Sequence, residues 1–366
     1  MSKIISIGTA VPAYRHAQLN IHQFMQQVFA LEEKESRKLR YLYHHCGIDY
    51  RHSVIGDYSR AIHEWKFYPQ TENLEPFPSL EQRMNWFHRF AAPLSVDAIR
   101  SCIDGKITEQ AITHLITVSC TGMSAPGLEL QVMELMDLPK TIYRTAINFM
   151  GCYAAIHALK MADMICKSEP DAKVLIVCTE LCTLHFQREA TQDNIASSLL
   201  FGDGSAAVLI TGNKEKRKGL EIIDFYSEVV TKGKRDMAWD LSSSGFLMTL
   251  SGYVPELIEE DFDKLTERAL KKAGVQKSNI RHWAVHPGGK RILEAIHKSL
   301  GLQNGALDIS YQVLKQFGNM SSATILFVLK NILEEIRHRK PDSPELAMGA
   351  AFGPGLSMET FVATYQ

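Results

Sequence analysis

Residues 142–166 read IYRTAINFMGCYAAIHALKMADMIC. The first third is a short apolar run with the composition of a buried strand, and the part that follows Gly151 has the spacing of a helix with one apolar face, on which Ile156 and Leu159 lie. A strand that leads through Gly-Cys into a helix is typical of α/β proteins. This stretch therefore predicts an α/β fold in which Cys152 lies where a helix begins.

Other strand-like runs in the chain are also short, β-branched and unalternating, as expected for strands that helices cover on both faces. They span residues 3–11, 114–120, 174–179, 205–211, 220–230, 283–286, 346–350 and 357–364. Helical patterns lie between them, at residues 125–136, 261–273, 291–300 and 321–336. Residues 50–110, rich in aromatic residues and proline, predict a helical excursion packed on the core.

The order of these elements repeats weakly after the charged, glycine-flanked segment 212–219. We therefore expect an N-terminal half, residues 1–213, and a C-terminal half, residues 214–366. Gly151-Cys152 opens a helix in the first half, and Gly318-Asn319 opens one in the second. A pair of halves related by a pseudo-twofold axis would bring these two helix starts together at the centre of the molecule.

Composition excludes several classes of function. The chain has 366 residues, 45% of them hydrophobic, and 40 Lys and Arg against 41 Asp and Glu, so it can bury a large core and carries no excess charge for binding nucleic acid. Seven cysteines without the dense spacing of a disulfide framework favour a reducing compartment, and we expect a cytoplasmic protein. No apolar run reaches the roughly 18 residues of a membrane helix.

Three glycine-flanked junctions carry groups suited to thioester chemistry: Cys152, His286 and Asn319. A thiolate is the nucleophilic form of cysteine, and both a helix N-terminus and a neighbouring imidazolium lower a thiol pKa. We expect the N-terminus of its own helix and an imidazolium at His286 to lower the pKa of Cys152. The amide of Asn319 has N–H donors, which suit an oxyanion that forms and disappears.

Other interpretations of these residues are weaker. Cys178, Cys182 and His185 imitate the spacing of zinc ligands, but no second ligand pair stands nearby in sequence. The order Cys, His, Asn also occurs in papain-like hydrolases, whose cysteine lies near the mature N-terminus rather than in mid-chain. A catalytically silent binding protein is a further alternative, against which the complete set of three residues argues.

Four motifs together resemble the type III polyketide synthases, the chalcone-synthase-like branch of the thiolase superfamily, and the bacterial members in particular. They are Gly-Cys at 151–152, His-Pro-Gly-Gly at 286–289, Gly-Asn-Met-Ser-Ser at 318–322 and Phe-Gly-Pro-Gly-Leu-Ser-Met-Glu-Thr at 352–360. The resemblance implies a homodimer with the thiolase fold, two αβαβα halves stacked in five layers. It also implies that acyl-CoA and malonyl-CoA are the substrates and that no cofactor or metal takes part.

The reaction that the resemblance implies begins when an acyl-CoA starter loads onto Cys152. His286 and Asn319 would then polarise the malonyl thioester, so that loss of carbon dioxide leaves an enolate, which attacks the acyl group. Repeated condensation and cyclisation would give an aromatic or pyrone product. The alternative within the superfamily is a ketoacyl synthase III-like enzyme, which performs one condensation with an acyl carrier protein and typically has Gln-Ala-Asn after its histidine.

The resemblance also assigns the residues of a substrate pocket. Phe201 takes the place of one gatekeeper phenylalanine between the CoA tunnel and the cavity, and Met248 that of the second. His185 stands where a smaller residue is usual, which together with Trp239 indicates a pocket unlike that of chalcone synthase. The remaining pocket residues that it implies are Cys120, Thr121, Ser321, Phe352 and Pro354.

The basic residues that hold CoA phosphates in this family fall in the segment 37–51. Lys38 and Arg51 match those positions, and Arg40 is a weaker third candidate. Cys120 is either a small residue at a strand end or a second cavity thiol that steers the growing chain.

Overall fold

The computed structural model describes residues 2–212 and 214–366, so the predicted boundary at residue 213 lies outside the described residues. The strands are β1 (Lys3–Ala10), β2 (Tyr14–Ala17), β3 (Tyr50–Ser53), β4 (His114–Ser119), β5 (Tyr143–Asn148), β6 (Lys173–Leu181), β7 (Asp203–Thr211), β8 (Leu220–Val229), β9 (Met237–Ser242), β10 (Gly245–Leu250), β11 (Ile280–Val285), β12 (Glu345–Gly353) and β13 (Ser357–Tyr365). The helices are α1 (Gln18–Phe29), α2 (Glu33–His45), α3 (Leu80–Ile103), α4 (Leu128–Leu135), α5 (Ala154–Ser168), α6 (Gln192–Leu200), α7 (Val254–Ala273), α8 (Lys290–Leu300), α9 (Asp308–Phe317) and α10 (Thr324–Arg339).

The large sheet repeats one pairing pattern. Its strand order is β11-β12-β13-β8-β1-β7-β6-β4-β5. In one part β4 runs parallel to β6, which pairs antiparallel with β7, and β7 pairs antiparallel with β1. In the other part β11, β12, β13 and β8 repeat these three relations in the same order. A short antiparallel pairing of β1 with β8 joins the two parts.

Burial divides the core into three helical layers separated by the two parts of the sheet. Helices α5 and α10 lie in the central cluster, α3 covers the outer face of the first part, and α7 and α8 cover the outer face of the second. Strand β6 shows the alternation, because Ile176 faces the central cluster while Leu175 and Val177 face α3. The predicted five-layer α/β arrangement is confirmed.

The structure differs from the prediction in several places, and strand β2 and helices α1, α2, α6 and α9 were not among the predicted patterns. Residues 50–110 contain β3, short 3₁₀ turns and irregular chain before the long helix α3 begins at Leu80, so the predicted helical excursion holds only for its second half. The hairpin of β9 and β10 was not predicted, and it forms a separate small sheet. Within the described residues, no helix combines the length and the apolar character that a membrane span requires.

A buried carboxylate joins strand β12 to the end of α10 and to β11. Glu345 is 8% exposed and accepts hydrogen bonds from Arg339 at 2.6 and 2.7 Å, while His282 lies 2.8 Å away. The hydrogen bonds from Arg339 lower the pKa of Glu345 from 4.5 to about 2. The carboxylate therefore stabilises the fold fully above pH 4.5, and this stability is lost as the pH falls towards 2.

We expect Glu345→Gln to lower the free energy of unfolding by about 2 kcal/mol at pH 7, a figure reduced for the solvent around Arg339. The difference from wild type should narrow at pH 3, because wild type has by then lost much of the same contribution. Urea unfolding of both proteins at pH 7 and pH 3 measures this difference in the free energy of unfolding. An equal difference at pH 7 and pH 3 would contradict this account of the cluster.

Candidate active site

Cys152 lies between β5 and α5, two residues before the helix begins. Gly151 before it has a φ of 88°, in the left-handed region, and a Cβ atom at this position would collide with the ring of Pro354. Only glycine meets both conditions without strain. The Gly-Cys pair therefore lets the loop that contains Pro354 pack directly against this junction.

Asn319 lies in a fixed orientation beside this point. A β-bridge joins Asn319 to Phe201, and the backbone N–H of Asn319 donates to the Leu200 carbonyl at 2.8 Å. Its side-chain Oδ1 accepts the N–H of Ser321 at 2.8 Å, and its Nδ2 donates to the Gly288 carbonyl at 3.3 Å. The side-chain NH₂ of Asn319 thus faces the His-Pro-Gly-Gly turn, and one of its two N–H groups is hydrogen-bonded there.

His286 follows β11, and its backbone N–H donates to the Ala350 carbonyl of β12 at 2.8 Å. Its side chain is 1% exposed. Among the described residues, neither ring nitrogen has a hydrogen-bond partner. A buried imidazole with both nitrogens unpaired is unusual in a folded protein, and it can form hydrogen bonds to a substrate oxygen.

Burial opposes charge on both the thiol and the imidazole. It raises the pKa of Cys152 to about 11, with a further rise from Glu180, while hydrogen bonds from Ser321 and Asn319 act in the opposite direction. Burial lowers the pKa of His286 to about 3. The hydrogen bonds of the described residues include none between Cys152 and His286. Desolvation thus favours the neutral form of each group and opposes the expected imidazolium and lowered thiol pKa.

An internal cavity opens on the Cys152 thiol. Its wall is mostly apolar, with sulfur atoms and aromatic rings from several segments of the chain. It is lined by Cys120, Thr121, Gly151, Cys152, Cys182, Phe201, Met237, Trp239, Met248, Ser321 and Pro354. Six of the predicted pocket residues are among these: Cys120, Thr121, Phe201, Met248, Ser321 and Pro354.

Two predicted pocket residues lie elsewhere. Phe352 is buried in the outer cluster, packs on Phe262 with ring centroids 5.3 Å apart, and is not among the residues that line this cavity. His185 lines an adjoining cavity rather than the one at Cys152. The two cavities share four wall residues, which are Cys182, Phe201, Trp239 and Met248.

Sequence reasoning missed two residues of the cavity. Cys182 was weighed only as a zinc ligand, yet it directly follows β6 and lines the cavity. Within the described residues, no cluster of three or more His, Cys, Asp or Glu side chains could hold a metal ion. Met237 lies in β9 two residues before Trp239, and both line the cavity. The period of two in this strand was the signal that could have found Met237.

The predicted CoA contacts separate into two environments. Arg51 is 3% exposed, and its guanidinium donates to Gln18 at 2.9 Å and to the Phe201 carbonyl at 2.7 Å. This guanidinium supports the backbone of Phe201, and Arg51 also lines the cavity next to the one at Cys152, so its contact with a CoA phosphate stays a prediction. Lys38 and Arg40 are exposed on α2, where Lys38 pairs with Glu35 at 2.8 Å.

Two domain families of known proteins match the chain, one in each half. Residues 1–214 match the N-terminal domain of chalcone and stilbene synthases, and residues 221–365 match the C-terminal domain. The chain is 31% identical over 379 residues to a putative chalcone synthase of Bacillus subtilis, covering 100% of this chain and 99% of that protein. It is 32% identical over 286 residues to the alpha-pyrone synthesis polyketide synthase-like Pks18 of Mycobacterium tuberculosis, covering 77% of this chain and 72% of that protein.

Solved structures give the same result. The crystal structure of PKS-I from the brown alga Ectocarpus siliculosus superimposes with a TM-score of 0.93 at 25% identity, covering 100% of this chain and 98% of that one. The C-terminal type III polyketide synthase domain of Steely1, a type I/III hybrid from Dictyostelium, superimposes with a TM-score of 0.89 at 27% identity, covering 100% and 99%. These similarities cover the cavity and all three junctions.

Proposed function

The chain belongs to the chalcone and stilbene synthase family of type III polyketide synthases, and we propose that Cys152 carries the acyl chain in its reaction. As a member of this family it is an acyltransferase that performs condensation chemistry on CoA thioesters. The observation that carries the proposal is the placement of the Cys152 thiol, which faces an apolar cavity and has the side chains of Asn319 and Ser321 beside it.

We propose that His286 is the base for loading. The thiol and the imidazole both begin neutral, and the proton of Cys152 passes to a ring nitrogen of His286 as the sulfur attacks the acyl-CoA carbonyl. What supports this role is that neither ring nitrogen is taken up by a hydrogen bond among the described residues. The C–S bond to CoA breaks, and the departing CoA thiolate takes the proton from the imidazolium. Acyl-Cys152 and free CoA result, and His286 returns to its neutral form.

We propose that the same imidazole and Asn319 then act on malonyl-CoA. N–H groups of His286 and Asn319 donate to the thioester oxygen, on which negative charge grows as the C–C bond to the carboxylate breaks and carbon dioxide leaves. The enolate carbon attacks the acyl-Cys152 carbonyl, and the Cys152 thiolate departs and takes up a proton from solvent. The chain, longer by two carbons, is now a CoA thioester that can load again.

For the product we propose an aromatic or pyrone ring, formed when the poly-β-keto chain cyclises in the cavity. The apolar lining supports folding of a chain without charged groups. One relative is described by its alpha-pyrone synthesis. Incubation with ¹³C-labelled malonyl-CoA and a panel of acyl-CoA starters, followed by mass spectrometry, tests the proposal. Products with several malonyl-derived units are expected, whereas a single condensation that depends strictly on an acyl carrier protein would overturn it.

We propose that the protein is a homodimer that pairs through β5. This strand is the last in the sheet order, and Tyr143 within it is 67% exposed. An exposed edge strand presents unpaired backbone groups to which a second copy can add. The division into halves near residue 213 and the CoA phosphate contacts at Lys38, Arg40 and Arg51 remain further proposals.

We expect Ala146→Asp to convert the dimer to a monomer. Ala146 is an exposed residue within β5, so the new carboxylate leaves the folded protomer intact but sets like charges against each other between copies. Light scattering coupled to size exclusion measures the mass. Ala61→Asp, at an exposed alanine between β3 and α3, is the matched control and should leave the mass unchanged. A dimer that survives Ala146→Asp at micromolar concentration would exclude this interface.

A further inference from the structure

The dipeptide Cys120–Thr121 in the cavity wall is held by side chains at every backbone polar group. The N–H of Cys120 donates to Glu180 at 2.9 Å, and that of Thr121 donates to Ser119 Oγ at 3.3 Å. The Cys120 carbonyl accepts the indole N–H of Trp239 at 2.7 Å, and the Thr121 carbonyl accepts from the imidazole of His185 at 2.7 Å. Two consecutive carbonyls are thus bound by side-chain N–H groups from distant segments.

The hydrogen bonds of His185 fix its tautomer. Its Nδ1 accepts the backbone N–H of Phe246 at 3.2 Å, so Nε2 is protonated and donates to the Thr121 carbonyl. The ring stacks on Phe246 with centroids 4.2 Å apart and meets Trp239 edge-on at 5.7 Å. Burial lowers the pKa of His185 to about 3, so this neutral tautomer persists across the pH range in which the enzyme works.

The Cys120 thiol connects the dipeptide to Cys152 by a hydrogen bond to the preceding residue, Gly151. The backbone N–H of Gly151 donates to Cys120 Sγ at 3.0 Å. Gly151 holds the left-handed conformation that places Cys152 in the cavity. A shift of Cys120 therefore moves the sulfur that accepts the N–H of Gly151, the residue before Cys152.

We propose that Trp239 and His185 are positioning residues for Cys152, which act by fixing the Cys120–Thr121 backbone and, through the Cys120 thiol, the conformation of Gly151. The hairpin of β9 and β10 supplies both the Trp239 side chain and the Phe246 N–H, so it is part of this support. The inference rests on the proposed role of Cys152 as the acyl carrier. It gives Cys120 a structural task in place of a chain-steering one.

A purely structural role and a positioning role predict different results. If Trp239 and His185 only packed the hairpin, their loss would lower stability and would affect all activities of the site alike. If they position Cys152, reactions that need the thiol slow down, while malonyl-CoA decarboxylation, which the proposed mechanism assigns to His286 and Asn319, continues.

The test uses Trp239→Phe and His185→Phe, which remove the N–H donors and retain aromatic rings. Two rates are measured on the full protein: alkylation of Cys152 by iodoacetamide, followed by peptide mass spectrometry, and decarboxylation of malonyl-CoA to acetyl-CoA. Loss of one hydrogen bond to a buried carbonyl should slow alkylation about three- to tenfold. Decarboxylation should slow by a clearly smaller factor than alkylation does.

Trp65→Phe is the matched control, because the buried Trp65 indole also donates to a backbone carbonyl, that of Arg60 at 3.0 Å, in the cluster beneath α1. It should lower the melting temperature by a comparable amount and leave both rates unchanged. Unchanged alkylation in Trp239→Phe and His185→Phe, or equal loss of both rates, would overturn the inference. A wild-type protein that does not decarboxylate malonyl-CoA would instead contradict the proposed function.

Discussion

Replacement of Cys152 by Ala is expected to abolish polyketide formation and to leave malonyl-CoA decarboxylation in place. The thiol is the only group in the proposed mechanism that bonds to the acyl chain, so without it the enolate has no electrophile to attack. We expect product formation to fall by a factor on the order of 10⁴ or more, as for other covalent nucleophiles. Intact-protein mass spectrometry after incubation with hexanoyl-CoA should show no acyl adduct.

Cys182→Ala is the matched control for this variant. Cys182 is a buried thiol in the wall of the same cavity, so its removal changes the cavity by a similar volume. It should retain the acyl adduct on Cys152 and should form product, although the distribution of chain lengths can shift with the wall. If Cys152→Ala formed product near the wild-type rate, or if the acyl adduct in wild type lay on Cys182, Cys152 would not be the nucleophile.

The parts of the fold and site that could be predicted from the sequence are those that depend on neighbours in the chain. The strand before Gly151 and the helix after Cys152 follow from the hydrophobic spacing over residues 142–166. The comparable place of Gly318-Asn319 follows from element order, and the pairing pattern of the sheet repeats in that order. The local sequence pattern was therefore enough to predict that Cys152 and Asn319 lie at one site.

The remaining features depend on partners that no local pattern identifies. Trp239 lies in a hairpin that interrupts the α/β pattern, and its indole bonds to Cys120, far away in the chain. The charge states of Cys152 and His286 depend on burial, which raises one pKa and lowers the other. Arg51 matched a motif position, but its guanidinium binds the Phe201 carbonyl inside the protein. Residue identity alone does not distinguish a buried arginine from an exposed one.

Asn319→Ala is expected to slow malonyl-CoA decarboxylation by about 10²- to 10³-fold, because loss of one oxyanion donor typically costs about 2.7 to 4 kcal/mol of barrier. The donor is Nδ2, since Oδ1 accepts the backbone N–H of Ser321. Alkylation of Cys152 by iodoacetamide needs no oxyanion donor and should change only a fewfold. The ratio of the two rates therefore separates a lost donor from a disturbed loop.

Asn319→Asp sharpens this test. An aspartate can still accept the N–H of Ser321 and so keeps the loop in place, but it has no N–H to offer and adds a negative charge where the enolate oxygen must form. It should therefore decarboxylate malonyl-CoA at least as slowly as Asn319→Ala, even though its structure is closer to wild type. Recovery of decarboxylation in Asn319→Asp would show that the loop, rather than the amide donor, is what Asn319 supplies. Wild-type decarboxylation in both variants would remove Asn319 from the mechanism and leave His286 as the proposed donor to the oxyanion.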